Sequence, residues 1–159
     1  MDRAGRTAAL ALLVLAGVGG VLSPWMPCAA QSGSPTLRAA AALVYRLGHE
    51  VCNQRPDRSF ESCGLAWPIC GRCAGLYLGA AAAALGLLVV PGGVRPAAGI
   101  GVRGWRLVLL GAALPTAVLW LLEYGGGVDP GTRIRFAGAL PLGVAGALWL
   151  AAIWRGELR

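Results

Sequence analysis

One histidine and four cysteines stand close together between His49 and Cys73. They form two short pairs, His49-x2-Cys52 and Cys70-x2-Cys73, with Cys63 between them. Two-residue spacers let both ligands of a pair turn toward one ion, and four such ligands complete the tetrahedron that zinc prefers. The spacing therefore predicts a zinc site with His49, Cys52, Cys70 and Cys73 as ligands and Cys63 as a substitute ligand.

The same cysteines also allow redox chemistry. Arg72 lies inside the Cys70-x2-Cys73 pair, and a nearby cation lowers the pKa of a thiol and makes it reactive. Cys52 and Cys63 could then be the exchanging partners in a membrane thiol-disulfide oxidoreductase. An oxidising extracytoplasmic face would favour disulfides over zinc. A third, non-functional interpretation is that small cysteines pack at helix ends.

Arg58 and Arg72 lie within this motif, and Arg133 and Arg135 lie just before the last apolar run. A guanidinium group matches a carboxylate or a phosphate with two parallel hydrogen bonds. We therefore expect these four arginines to converge with Glu123 and Asp129 and to line an anion-binding site. Charge pairing and snorkelling at a membrane surface are the structural alternative. No catalytic residue is identified, so enzyme activity stays open, and an enzyme or carrier for an anionic lipid or small acid is a further alternative.

The composition of the chain fits a bilayer better than water. Of 159 residues, 57% are hydrophobic and only 13% are charged, which is more apolar surface than one small soluble core can bury. The net charge of +7 comes from arginines scattered singly between apolar runs, a pattern typical of the flanks of membrane spans. A nucleic-acid-binding face would gather them, so nucleic acid is excluded as a partner and the lipid bilayer is expected.

The apolar runs predict an all-α, polytopic membrane protein with about four transmembrane helices, one interfacial helix and a Cys-rich loop. Residues 1–35 would hold an N-terminal span, at about 7–22, or a secretory signal, followed by a turn. The rest, 36–159, would be a single membrane domain with these parts: an interfacial helix at 36–48, the Cys/Arg motif loop at 49–73, and spans at about 74–90, 107–122 and 136–154.

Arginine placement bears on orientation in the cell membrane. The number of arginines is equal on the two sides, but one set lies among acids and the other does not. We expect a multi-pass protein with both termini in the cytoplasm and the motif loop outside. With four spans, the cysteine segment and the loop at 125–135 lie on the same side in either orientation. The sequence does not indicate an oligomeric state.

Three signatures carry a resemblance to a known family. The first is Cys52-x-Gln54-x-Pro56-x-Arg58-Ser59-Phe60; it is followed by Pro68-x-Cys70-x-Arg72-Cys73-x-Gly75-x-Tyr77-x-Gly79 and by Arg133-x-Arg135-Phe136-x-x-Gly138. The chain resembles the domain of unknown function 2085 family, predicted membrane proteins of bacteria and archaea. The resemblance implies a polytopic membrane protein and no established activity. Relatives usually carry a histidine where this chain has Asn53, so His49 or Cys63 would have to replace it as a ligand.

Overall fold

The computed structural model describes residues 16–89 and 100–155, together with residues 7, 10, 11 and 14. The predicted first span, at about 7–22, falls partly outside the described residues; within it, Gly17–Val21 forms a π-helical turn. The remaining elements follow in chain order: α1 (Met26–Ala30), α2 (Pro35–Val51), a 3-10 turn (Pro56–Arg58), β1 (Ser59–Ser62), β2 (Leu65–Cys70), α3 (Gly71–Val89), α4 (Val102–Gly126) and α5 (Gly131–Trp154).

Among the described residues, the three helices α3, α4 and α5 are long and apolar enough to cross a membrane. Each has at least 19 residues, which reaches the thickness of the hydrocarbon core at 1.5 Å per residue. The prediction of a mainly helical membrane protein is confirmed, whereas the predicted number of four transmembrane helices is not. A fourth transmembrane helix is not among the described elements.

The motif loop differs from its prediction because it contains a β-hairpin, β1 paired antiparallel with β2. The two strands meet in a two-residue turn, in which Cys63 and Gly64 have φ values of 49° and 73°. Left-handed conformations at both turn residues match the right-handed twist of the flanking strands. The fold is therefore mostly helical with one small sheet, and this hairpin lies between α2 and α3.

Helices α3 and α5 form the tightest contact in the described part of the protein. Gly71, Gly75 and Gly79 recur every fourth residue on α3, and a methyl group added at any of them would strike the backbone of α5 or of the residues that begin it. Small residues at this spacing let two helix backbones approach closely, which is a common means of packing inside membranes. The contact brings the first turn of α3 beside the first turn of α5.

Helix α4 is peripheral by comparison, and none of its most apolar 18-residue window is buried. It contacts α5 where Leu119 packs over Gly138, and where Thr116 donates a hydrogen bond of 2.8 Å to the Gly138 carbonyl. Its exposed leucines would face lipid in a membrane. Gly127, with a φ of 64°, ends the helix, as is common for glycine after a helix. Glu123 lies one turn before this end.

Side-chain hydrogen bonds fix the hairpin to the end of α2. The Gln54 amide donates 2.7 Å hydrogen bonds to the carbonyls of Tyr45 and Pro68, and the Tyr45 hydroxyl donates to the Ala66 carbonyl. Gly48 touches the Pro68 carbonyl, so a larger residue would not fit there. These contacts hold β2 against α2 and thereby set the position of Cys70.

Candidate metal and anion site

Three cysteines meet where the hairpin joins the helices. Cys52 directly follows α2, Cys70 ends β2, and Cys73 lies in the first turn of α3. Their sulfur atoms all lie within 4.8 Å of one another. In a tetrahedral zinc site with Zn–S bonds of about 2.3 Å, two sulfurs stand about 3.8 Å apart. Small side-chain adjustments would therefore bring all three onto one ion.

Hydrogen bonds favour the thiolate form of Cys52. The Cys70 thiol and then the Cys73 thiol donate to the Cys52 sulfur, and these bonds hold the pKa of Cys52 below its ordinary value, although burial acts in the opposite direction. The Cys70 backbone N–H also donates to this sulfur, at 3.2 Å. The side chain is 7% exposed. The thiolate is the form that binds metals, so this environment suits a ligand.

The other two predicted ligands lie elsewhere. His49 is exposed on the last turn of α2 and is not part of the three-cysteine group. Cys63, at the tip of the hairpin, forms a disulfide with Cys28 of α1. A sulfur in a disulfide is not a thiolate, so Cys63 in this state is not a ligand. The described residues thus supply three candidate metal ligands.

A buried carboxylate gathers three of the four predicted arginines. One oxygen of Glu123 accepts hydrogen bonds from Arg72 and, at 3.0 Å, from Arg135; the other oxygen lies 3.5 Å from Arg58. The side chains of Arg135 and Glu123 are 3% and 6% exposed. Buried charges are stable only when paired and hydrogen-bonded, so Glu123 anchors this group. The acid comes from α4, and the arginines come from the 3-10 turn, α3 and α5.

Exposed acids complete the edges of the arginine group. Asp129 forms a 2.8 Å ion pair with Arg135. The pKa of Asp129 is lowered chiefly by a hydrogen bond from the Gly131 backbone N–H, and also by the charge of Arg135. Asp57 pairs with Arg55 and lies 3.6 Å from Arg58. Hydrogen bonding from Arg55 lowers the pKa of Asp57. Both acids therefore remain charged at neutral pH.

Arg133 does not join the other three arginines. It is exposed and lines two different grooves, one beside β1 and an apolar one between α4 and α5. Residues two apart on a helix differ in direction by about 200°, so Arg133 and Arg135 point to nearly opposite sides of α5. This periodicity alone separates the two arginines.

One cavity connects the cysteine and arginine groups. It has a volume of about 160 Å³, and Cys52, Cys70, Arg58, Arg72 and Arg135 are among its lining residues. Two of the three candidate metal ligands and three of the four predicted anion-binding arginines therefore line the same small space.

Two residues that position this site were not identified by sequence reasoning. Gln54 supports β2 through its amide, and its φ of 45° turns the chain back after Cys52; its position in the first family signature was the available signal. Cys28 is the one cysteine outside the motif, and a cysteine without an assigned role near four others indicates a possible disulfide.

Together, the apolar helices and the polar site at one end of them define a helical membrane protein with a cysteine- and arginine-lined centre. The chain belongs to the DUF2085 family, described as "Predicted membrane protein", whose model matches residues 52–149. This range includes Cys52, Cys70, Cys73 and Glu123 but not Cys28 or His49.

A protein of Methanothermobacter thermautotrophicus (strain Delta H) is 30% identical to the chain over 94 residues. The match covers 59% of this chain and 78% of that protein, whose description is "Uncharacterized protein". No solved structure matches the chain. Neither the family nor this relative carries a stated activity, so the function is argued from the site.

Proposed function

We propose that this membrane protein holds a thiophilic metal ion, zinc, through the thiolates of Cys52, Cys70 and Cys73, beside an arginine-lined polar cavity. The observation that carries the proposal is the convergence of three sulfurs from three different elements. Cys52 and Cys70 also line the cavity. The fourth coordination position of the ion would accordingly face that space.

Sulfur ligands favour zinc over magnesium or calcium, which prefer oxygen. Structural zinc sites use four protein ligands, whereas sites that act on a ligand keep one position open. When bound, the ion would polarise an oxygen-containing ligand as a Lewis acid. Three cysteines with one open position therefore support a reactive or ligand-binding centre rather than a purely structural one.

The disulfide supports the predicted orientation in the membrane. Cys28 and Cys63 are joined at the tip of the hairpin, and structural disulfides persist on the oxidising side of a membrane. We infer that the hairpin faces outward and that the end of α5, three spans later, faces the cytoplasm. The predicted first span at about 7–22 would place the N-terminus in the cytoplasm as well. A Glu61→Cys variant should react with a membrane-impermeant maleimide in intact cells, and a Val102→Cys variant should react only after lysis. The reverse labelling pattern would contradict this orientation.

Metal analysis tests the central proposal. Protein purified from membranes without chelator should contain one zinc per chain, and Cys52→Ser, Cys70→Ser and Cys73→Ser should each lose it. Cys63→Ser is the matched control, because it removes a cysteine of the same segment outside the group, and it should retain the zinc. A metal-free wild-type protein, or equal loss in the control, would refute the proposal.

A thiol-disulfide oxidoreductase is the second candidate, because the Cys52, Cys70 and Cys73 sulfurs are within reach of one another. It requires exchange with a substrate disulfide: one thiolate attacks a sulfur of that disulfide, the S–S bond breaks, and a mixed disulfide forms while the other substrate sulfur leaves as a thiolate. Trapping such a mixed disulfide on Cys70 or Cys73, in protein that contains no metal, would favour this candidate over zinc.

A further inference from the structure

We infer that the cavity is a receptor for a small oxyanion, of carboxylate or phosphate size, held by the guanidinium groups of Arg58, Arg72 and Arg135. The inference deepens the proposed function, on which it rests for one contact: the anion would also reach the open position of the metal. Its remaining support comes from the arginines alone.

Unpaired hydrogen-bond donors are the first support. Nη1 of Arg135, Nε of Arg72 and Nε of Arg58 are buried and have no hydrogen-bond partner among the described residues, although Nε of Arg58 lies 3.6 Å from a carboxylate oxygen of Asp57. Arg135 is the most telling of the three, because its side chain is only 3% exposed. A buried N–H group without an acceptor is costly, so an acceptor in the cavity is expected. An oxyanion offers several acceptor atoms at once.

The charge around the cavity is the second support. Four arginines line it, the three above and Arg55, and no acidic side chain is among its lining residues. Glu123 contacts three of these guanidinium groups, and the exposed acids Asp57 and Asp129 contact Arg58 and Arg135. None of these acids is among the lining residues, so the cavity wall presents four guanidinium groups and no carboxylate to a ligand. Such a wall favours an anion.

The size of the cavity limits the ligand. Sites for drug-sized molecules have volumes of about 300–1,000 Å³, whereas this cavity has about 160 Å³. An anion of a few heavy atoms fits, but a phospholipid with its glycerol and chains does not. The cavity could therefore hold a free anion entirely, whereas a phospholipid could place only its headgroup inside.

Anion titration of the purified, cobalt-substituted protein in phospholipid-free detergent tests the inference. Inorganic phosphate and acetate are the probes, with binding followed by calorimetry. Arg135→Lys keeps the charge but loses the planar fork, and should weaken binding about tenfold or more. Arg72→Lys should act in the same direction. Arg133→Lys is the matched control, since this arginine lies outside the cavity, and it should bind as the wild type does.

The possible outcomes separate the inference from the proposed function. Absence of saturable binding of both probes to the wild type would overturn the anion receptor, and so would equal weakening by Arg135→Lys and Arg133→Lys. The visible absorption of bound cobalt should change on anion binding, and an unchanged spectrum would overturn the contact with the metal. If the wild-type protein contains no zinc as purified and takes up no cobalt, yet binds phosphate with the same sensitivity to Arg135→Lys, the proposed zinc function fails while the anion receptor stands. If binding needs added phospholipid, the free-anion assignment is refuted.

Discussion

The tip and the base of the hairpin carry cysteines only seven positions apart, yet their chemistry differs. At the tip, Cys63 is joined to Cys28 by a disulfide. At the base, Cys70 contacts Cys52 and Cys73 as a free thiol. The turn at the tip is exposed to solvent and lies next to Cys28 of α1. The base is packed against α2, α3 and α5. Position within the hairpin, rather than sequence spacing, separates the structural cysteines from the candidate ligands.

Contacts at the tip attach the hairpin to the N-terminal segment. Ser62 donates a 2.6 Å hydrogen bond to the Pro24 carbonyl and accepts one of 3.1 Å from the Trp67 indole. Gln31 donates to the Cys63 carbonyl. These bonds and the disulfide link the hairpin to the N-terminal segment, which in turn packs Gly19 and Gly20 against Tyr77 of α3. The comparison implies that damage at the tip lowers stability but spares the ligands, and that damage at the base affects both.

The largest effect is expected at the base, from Glu123→Gln. The substitution removes the negative charge and one acceptor oxygen and leaves the guanidinium groups of Arg72 and Arg135 without their buried counter-charge, so unfolding should become easier by about 3–5 kcal/mol. Denaturant unfolding in detergent, followed by tryptophan fluorescence, measures this change. Asp129→Asn is the control: it also contacts Arg135 but is 69% exposed, so its effect should be small because water screens the pair. Similar losses in both variants would show that Glu123 is not the anchor.

A smaller loss is expected at the tip, from Cys63→Ser. Opening a disulfide that joins residues 35 positions apart releases conformational entropy in the unfolded chain and should cost about 2–4 kcal/mol. Unfolding with and without reductant measures this effect, and reductant should destabilise only the wild type. Cys28→Ser and the double variant should match Cys63→Ser, because all three break the same bond. A further loss in the double variant would mean that the cysteines act separately.

The smallest effect is expected from Ser62→Ala. This change removes one hydrogen bond to Pro24 and the acceptor of the Trp67 indole, and should destabilise the protein by about 1–2 kcal/mol. Zinc content should remain at the wild-type level, because the change lies at the tip. Loss of zinc in Ser62→Ala, measured by elemental analysis, would show that tip and base are not separable in this way.

The membrane helices could be predicted from the sequence because length and hydropathy are local properties. Helix α3 was expected at about 74–90 and is found at Gly71–Val89. The hairpin was missed, although Cys63-Gly64 between Phe60 and Trp67 fits a two-residue turn between alternating residues. The spacing of the cysteines predicts ligands within one loop, and a loop has no strands on either side of a turn.

Contacts between distant segments were harder to predict. The disulfide joins α1 to the hairpin, and cysteine pairing depends on Cα separations that a sequence does not contain. The sequence predicts that Arg58, Arg72 and Arg135 converge with Glu123, but their arrangement around one carboxylate depends on the close approach of α3 and α5. Arg133 was grouped with Arg135 on proximity in sequence, whereas helical periodicity places them apart.

X-ray absorption at the zinc edge tests the central claim most directly, because it counts the ligands of the bound ion. The wild-type protein should show three sulfurs at about 2.3 Å and one lighter atom at about 2.0–2.1 Å. His49→Ala should leave the spectrum unchanged, which identifies the lighter ligand as one that this histidine does not supply. Four sulfurs, fewer than three, or a change in His49→Ala would contradict a three-thiolate centre that opens onto the arginine-lined cavity.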